Sequence, residues 1–354
     1  MRGRGSISKT LVATLAVFLV LVLIFSNSFP AEKLRKSISS EYLPKAKEIV
    51  SHPSCGDVHS LERALECYLN DQTAMKELGN LALQLKGKDV AESAWNVVEW
   101  EDSHISYDSS KSPDSPIQRP IETVQRGRGI CVDYAVLTAA LLIEMNYSPV
   151  YVLDINFSNS PTGHAATAIR INGTYFVLDQ HPPVMDLGTY WKYWAYWNNG
   201  SPRGNLEISG AVVYEVKKVD GRVTVRSVGK LTAQDFLSED YSFTADDAHR
   251  VVVDLLAVLL KRHPNLHLDR KISNLDESKI LPPGYSSGKT WMFSFPLFGE
   301  YYNPVFHREF VDYVYRNIAS KPSLVEDLKS YSHVWVKDKL GENGKLVVII
   351  NLAK

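Results

Sequence analysis

The spacing of apolar residues changes twice along the chain. Leu11–Phe25 is apolar apart from Thr14. Lys33–Val50 and Leu61–Leu85 then repeat apolar residues at helical intervals among charged ones, and Val90–His104 carries Ala94, Trp95 and Val98 on one side. Ser106–Pro120, rich in Ser, Pro and Asp, ends this helical region. A loop, Gly127-Arg-Gly-Ile, then delivers Cys131 to the start of a stretch in which only Asp133, Tyr134, Thr138 and Glu144 are polar up to Met145. A helix apolar nearly all round is a buried one.

After that helix the period becomes that of strands. Ser148–Ile155 is β-branched and apolar, a buried strand, and Phe157–Gly163 reads as a loop. His164–Ile171 and Thr174–Asp179 flank Asn172-Gly173, the strongest short signal for a hairpin with a two-residue type I′ turn. Tyr190–Trp197 packs six aromatics into eight residues and reads as a core or rim helix, as the wall of a binding groove formed by Tyr190, Trp191 and Trp194, or as a contact with the nearby membrane interface. Ala211–Val228, with Asp220-Gly221, predicts a second hairpin. Ala245–Arg262 and Phe306–Ile318 predict amphipathic helices, and Ser332–Lys337 and Lys345–Leu352 closing strands. The class is α+β. The expected organisation is an N-terminal segment over 1–30, a helical lead-in over 31–89, a core over 90–209 and an α+β extension over 210–354.

Charge narrows the partners. The formal net charge of -1 and the lack of a basic stripe argue against nucleic acid. Arg2, Arg4 and Lys9 precede Leu11–Phe25, whose helical length of about 22 Å falls short of a roughly 30 Å hydrocarbon core unless it extends through Phe29. The segment is either a single-pass membrane anchor over residues 11–29 or a signal peptide cut after Ser28. Both place the N-terminus in the cytoplasm and residues 31–354 outside, and the anchor is the favoured expectation. Of the three cysteines, Cys55 and Cys67 are spaced to form a disulfide, leaving Cys131 as the odd thiol. A zinc site of His52, Cys55, His59 and Cys67, or unpaired thiols, are the alternatives. Asn146, Asn156, Asn172 and Asn199 head glycosylation sequons, usable if the body is outside, with Pro149 after the first and the tight turn at the third making those two poor acceptors.

The hairpin provides a geometric test for chemistry. A two-residue turn at Asn172-Gly173 pairs Ile171 with Thr174, and stepping outward sets Ala166 opposite Asp179 and His164 opposite His181. His164 and Asp179 then share a face on diagonal positions, within reach of a histidine–carboxylate hydrogen bond. Ala166 and Ala168 on that face leave room for close packing by the cysteine helix. A thiol at a helix start, a histidine, and a carboxylate to orient it form the triad logic of thiol catalysis. Cys131, His164 and Asp179 are the catalytic candidates. Gln125, with the Cys131 backbone N–H, is the candidate to meet an oxyanion.

These residues carry a resemblance. The cysteine helix, the strand opening on His164 and the next strand closing on Asp179 resemble the transglutaminase core, a papain-like fold. Trp95–Tyr107 with His104-Ile-Ser-Tyr107, Pro120-Ile-Glu-Thr-Val, and Gly129-Ile-Cys131-Val-Asp-Tyr-Ala resemble its lead-in helix and its approach to the nucleophile. With Asp133-Tyr-Ala-Val-Leu-Thr-Ala-Ala-Leu-Leu and Val177-Leu-Asp179-Gln-His181, the chain also resembles an archaeal family of membrane-anchored transglutaminase-core proteins. Two departures bear on substrate choice: Ala165 and Ala166 follow the histidine where many such cores have an aromatic, and Val132 follows the cysteine where many have a polar residue or glycine. The resemblance implies acyl transfer through a thioester from a peptide or protein substrate to water or to an amine. The rival expectation is a non-catalytic module of the same fold that binds a peptide, a surface polymer or a membrane partner. With no Asp/Asn-rich calcium loop visible, neither metal nor cofactor is expected in the chemistry.

Overall fold

A computed structural model of the chain describes residues 55–197 and 204–354. The membrane segment over 11–29, His52 and the Asn199 sequon lie outside the described residues.

Five helices precede the main sheet: α1 (Leu61–Tyr68), α2 (Gln72–Leu85), α3 (Val90–His104), α4 (Pro120–Arg126) and α5 (Cys131–Glu144). Asp71 and Asp89 cap α2 and α3 by accepting the Ala74 and Glu92 backbone N–H groups at 3.1 and 2.9 Å. Helix α5 is the apolar stretch predicted from its composition, and every residue from Asp133 to Ile143 is buried. Leu137, Leu141 and Leu142 are fully covered, each contributing roughly 1.5–3 kcal/mol of burial. A disulfide joins Cys55 to Cys67 of α1, with Cα atoms 6.0 Å apart, so of the two open alternatives the zinc site lacks its thiols. Among the described residues no group of three or more His, Cys, Asp or Glu side chains is placed to share a metal ion.

The strands are β1 (Ser106–Tyr107), β2 (Arg128–Gly129), β3 (Val150–Phe157), β4 (Ser160–Ile171), β5 (Thr174–Asp179), β6 (His181–Asp186), β7 (Ile208–Val219) and β8 (Arg222–Thr232). The short pair β1–β2 is parallel. The other six form one antiparallel sheet in the order β6-β5-β4-β3-β7-β8. Asn172 (φ 53°) and Gly173 (φ 94°) are both left-handed, as a type I′ turn requires, and Ile171 pairs with Thr174. Asp220 (φ 50°) and Gly221 (φ 79°) repeat the device between β7 and β8. These two strands, which the sequence placed around the start of the extension, complete the main sheet beside β3.

The central strands β3, β4 and β5 are buried on both faces. Ala165, Ile169, Phe176 and Leu178 face the helices, and the Thr167 hydroxyl donates to the Ala135 carbonyl of α5 at 2.7 Å. Ala166, Ala168, Val177 and Leu153 face a second cluster around Tyr190, Leu187 and Phe236, from α6 (Leu187–Lys192) and α7 (Ala233–Ser238). The expectation that the cysteine helix packs against Ala166 and Ala168 is therefore corrected. It packs against the Ala165–Thr167–Ile169 face, where small residues also occur.

C-terminal to this, α8 (Ala245–Arg262), α9 (His307–Ala319) and α10 (Pro322–Ser330) accompany a sheet of order β10-β12-β11-β9. Its strands are β9 (His267–Leu268), β10 (Gly288–Phe295), β11 (His333–Leu340) and β12 (Leu346–Ala353). Thr244 and Asp247 form a capping box at the start of α8. Among the described residues no helix is long and apolar enough to cross a membrane.

Candidate active site

The approach to Cys131 depends on two glycines. Gly127 ends α4 in the left-handed region (φ 61°), where a side chain would be strained. Gly129 passes so close to α5 that a Cβ there would sit 2.9 Å from the Asp133 Cβ. Cys131 is the first residue of α5. Its N-cap, Ile130, has no capping oxygen, and Asp133 accepts the Ile130 backbone N–H at 2.8 Å instead.

Cys131 is partly exposed, whereas His164 on β4 and Asp179 at the end of β5 are each 9% exposed. His164 Nε2 lies 2.8 Å from Asp179 Oδ2. The His164 side chain and the Ala165 backbone N–H lie near enough to the Cys131 sulfur to act on its charge. With Nε2 engaged by Asp179, the ring nitrogen left for the sulfur is Nδ1. The hairpin explains the second donor. Narrow pairs recur at every second residue out from Ile171–Thr174, and the β4–β5 ladder stops at Thr167–Leu178. Ala165 is the next residue whose amide points toward β5. Gln180 turns away with φ 62°, which leaves the Ala165 amide outside the β4–β5 ladder and able to act on the Cys131 charge. His181 thus does not face His164, as a continued ladder would require. It starts β6, pairs with Asp179, and holds Asp102 Oδ1 at 3.0 Å through Nδ1.

Charge in this line is displaced toward an ion pair. Burial pushes the Cys131 thiol up, but the charge and hydrogen bond of His164 and the Ala165 N–H outweigh it, so its pKa lies below the ordinary thiol value. Burial pulls the His164 imidazole down, but the Asp179 and Cys131 charges and their hydrogen bonds outweigh it and raise its pKa. Burial likewise opposes ionisation of Asp179, and His164 and Tyr190 more than compensate, leaving it below the usual carboxylate range. All three shifts run in the direction that favours a charged thiolate, imidazolium and carboxylate.

A model of the transglutaminase-like domain family matches residues 76–203, a span that contains Cys131, His164 and Asp179. The UPF0252 protein PF0978 of Pyrococcus furiosus is 30% identical over 313 residues, covering 88% of this chain and 90% of that protein. The UPF0252 protein PH0672 of Pyrococcus horikoshii is 31% identical over 301 residues, covering 85% of this chain and 91% of that protein. This chain belongs to the UPF0252 family. Among solved structures, LapG of Legionella pneumophila in its EGTA-treated form is 14% identical over 49% of this chain and 92% of that one, with a TM-score of 0.30. A likeness at that score bears no argument about chemistry.

The remaining sequence candidates of this UPF0252 chain fall in different places. Gln125 is half-buried in the last turn of α4, in the segment that leads to Cys131. Trp194 lies edge-on to the His164 ring, with centroids 4.8 Å apart. Trp191 is half-buried and donates its Nε1–H to the Ile208 carbonyl of β7 at 3.1 Å. Tyr190 is corrected: it is fully buried and cannot line a groove. Its hydroxyl donates to Asp179 Oδ2 at 2.7 Å, while Gln180 Nε2 donates to Oδ1 at 3.2 Å. An aromatic cluster in a sequence carries no mark of which member turns inward to a carboxylate.

Proposed function

We propose that the chain is a thiol enzyme that cleaves or transfers acyl groups of peptide or amide bonds through a thioester, tethered to the membrane by residues 11–29 with its body outside. The observation that carries this reading is a partly exposed Cys131 within the influence of a His164 whose ring is hydrogen-bonded to buried Asp179. In such a line the thiolate attacks the substrate carbonyl carbon, and the electron pair moves to oxygen. In this reading the Cys131 backbone N–H, first in α5 and with the helix dipole behind it, meets that oxyanion, with Gln125 as the candidate second donor. Collapse of the intermediate expels the amine, which takes its proton from His164. Water or a second amine, deprotonated by His164, then attacks the thioester and returns the thiol. Asp179 holds the imidazole throughout. The Cys55–Cys67 disulfide suits an oxidising compartment and supports the external placement.

The test is labelling of the full chain with a thiol-directed acylating probe. Stoichiometric labelling that is lost in Cys131→Ala and falls at least tenfold in His164→Ala is expected. Labelling that is indifferent to His164 would refute the reading.

A further inference from the structure

Asp133 stands two residues after Cys131, is fully buried, and is the most heavily bonded carboxylate near the site. Besides the Ile130 N–H, its oxygens accept the Gln118 backbone N–H at 2.8 Å and Gln118 Nε2 at 3.2 Å. Lys111 Nζ lies 2.7 Å from each of them. The Lys111 side chain is only 11% exposed, so the pair is screened little by solvent. An uncompensated anion within one turn of a thiolate at a helix start opposes the charge that the site needs.

We propose that Lys111 is a positioning residue for the proposed reaction: by pairing with Asp133 it cancels the one buried anion on the nucleophile's own helix turn, and it ties the 108–119 loop to the start of α5. The inference rests on the reading of Cys131 as a nucleophile. The other charges around this point are accounted for. Arg119 of the α4 N-cap bonds Asp71, with Nη1 3.4 Å from Oδ2. Glu122 accepts the Arg119 backbone N–H. Arg128 lies 3.6 Å from Asp108 across β1–β2. From the strands, His164 and Asp179 act on the sulfur directly. Lys111 is thus the cation that contacts Asp133, and removing its charge leaves Asp133 bonded only by neutral donors.

The chain has three cysteines, and two are joined in the disulfide, so Cys131 is its single free thiol and alkylation by iodoacetamide reports on it alone. The rate would be followed against pH in the full chain. In Lys111→Met the acid limb is expected to move up by about one pH unit, an order-of-magnitude figure for one unit charge near a partly buried thiolate. Lys111→Arg is expected to keep the wild-type limb. Lys111→Met combined with Asp133→Asn is expected to return the limb toward wild type, because the offending charge has gone with its partner. An unmoved limb in Lys111→Met overturns the inference. So does a double variant that stays with Lys111→Met, since lost packing rather than lost charge would then be the cause. A wild-type Cys131 that titrates as an ordinary thiol overturns the nucleophile reading and this one together, whereas a depressed limb indifferent to Lys111 overturns this one alone.

Discussion

Tyr190 donates its hydroxyl proton to Asp179 Oδ2 at 2.7 Å, the same oxygen that His164 Nε2 meets at 2.8 Å. Two donors on one carboxylate oxygen fix both the charge and the direction of Asp179. Tyr190→Phe removes one of them without changing the shape of the core. A hydrogen bond to a charged group is worth about 1.5–3 kcal/mol, and a loss of that size is expected in urea unfolding. Turnover is expected to fall with KM little changed, because Asp179 is buried and acts through His164. A variant as stable and as active as wild type would show that the bond is incidental.

Asp179→Asn tests orientation more sharply. The amide keeps the volume but loses the charge that favours the imidazolium. A fall in turnover of about two to four orders of magnitude is expected, with the near-ultraviolet spectrum of the folded chain preserved. Loss of less than tenfold would remove Asp179 from the proposed mechanism.

The shifts of Cys131 and His164 define a pH window. The thiol lies below its ordinary value and the imidazole above its own, so the thiolate–imidazolium pair is the dominant form between them. Below the window the thiolate takes up a proton, and above it the imidazolium gives one up. Activity is therefore expected to be bell-shaped, with an acid limb below the range near pH 8.5 of free cysteine and an alkaline limb above the range near pH 6.5 of free histidine. In His164→Ala the acid limb of alkylation is expected to rise toward that of free cysteine. A wild-type profile that climbs only above pH 8 would contradict the pairing.

Glu101 of α3 offers a separate test in the core. Burial pushes its pKa up to about 8, and one of its oxygens has no hydrogen-bond partner. The Thr138 hydroxyl, which donates to Glu101 Oε1 at 2.7 Å, also donates to the Tyr134 carbonyl at 2.8 Å, so it offsets the burial only in part. The folded-state pKa is raised above that of the unfolded chain, near 4.3, so folding holds a proton that unfolding releases, and stability falls as pH rises between about 4.3 and 8. Glu101→Gln can give the same bond to Thr138 at every pH. Its stability relative to wild type is expected to grow from pH 5 to pH 8, by an amount on the order of a few kcal/mol. A difference that is flat in pH would place the proton elsewhere.

The parts of this site that local chemistry specifies were legible in the sequence. The Asn172-Gly173 pair dictates its turn, the turn dictates the register, and the register sets His164 and Asp179 near each other. The side of the sheet that receives the cysteine helix was not legible. β4 is buried on both faces and carries small residues on each, so no alternation separates Ala165 and Thr167 from Ala166 and Ala168. The inward turn of Tyr190 and the Lys111–Asp133 pair escaped for a related reason. Each joins segments distant in sequence through a fold that no local pattern encodes. β10 was also missed; its Trp291 and Phe293 become a strand by pairing with Ile350 and Val348 of β12.

The bridge between Cys55 and Cys67 also matters mechanically. Tension arriving along the backbone at Cys55 passes through the sulfur atoms to α1 and leaves the intervening segment slack. Helix α1 is itself moored: Tyr68 donates to the Ile117 carbonyl, and Asn70, just beyond the helix, exchanges hydrogen bonds with Val223 of β8. A pull on the N-terminal segment is thus carried into the far edge of the main sheet. Through Ile117 the same pull reaches Gln118, whose backbone N–H bonds Asp133 in the first turn of α5, so the start of the cysteine helix shares the load.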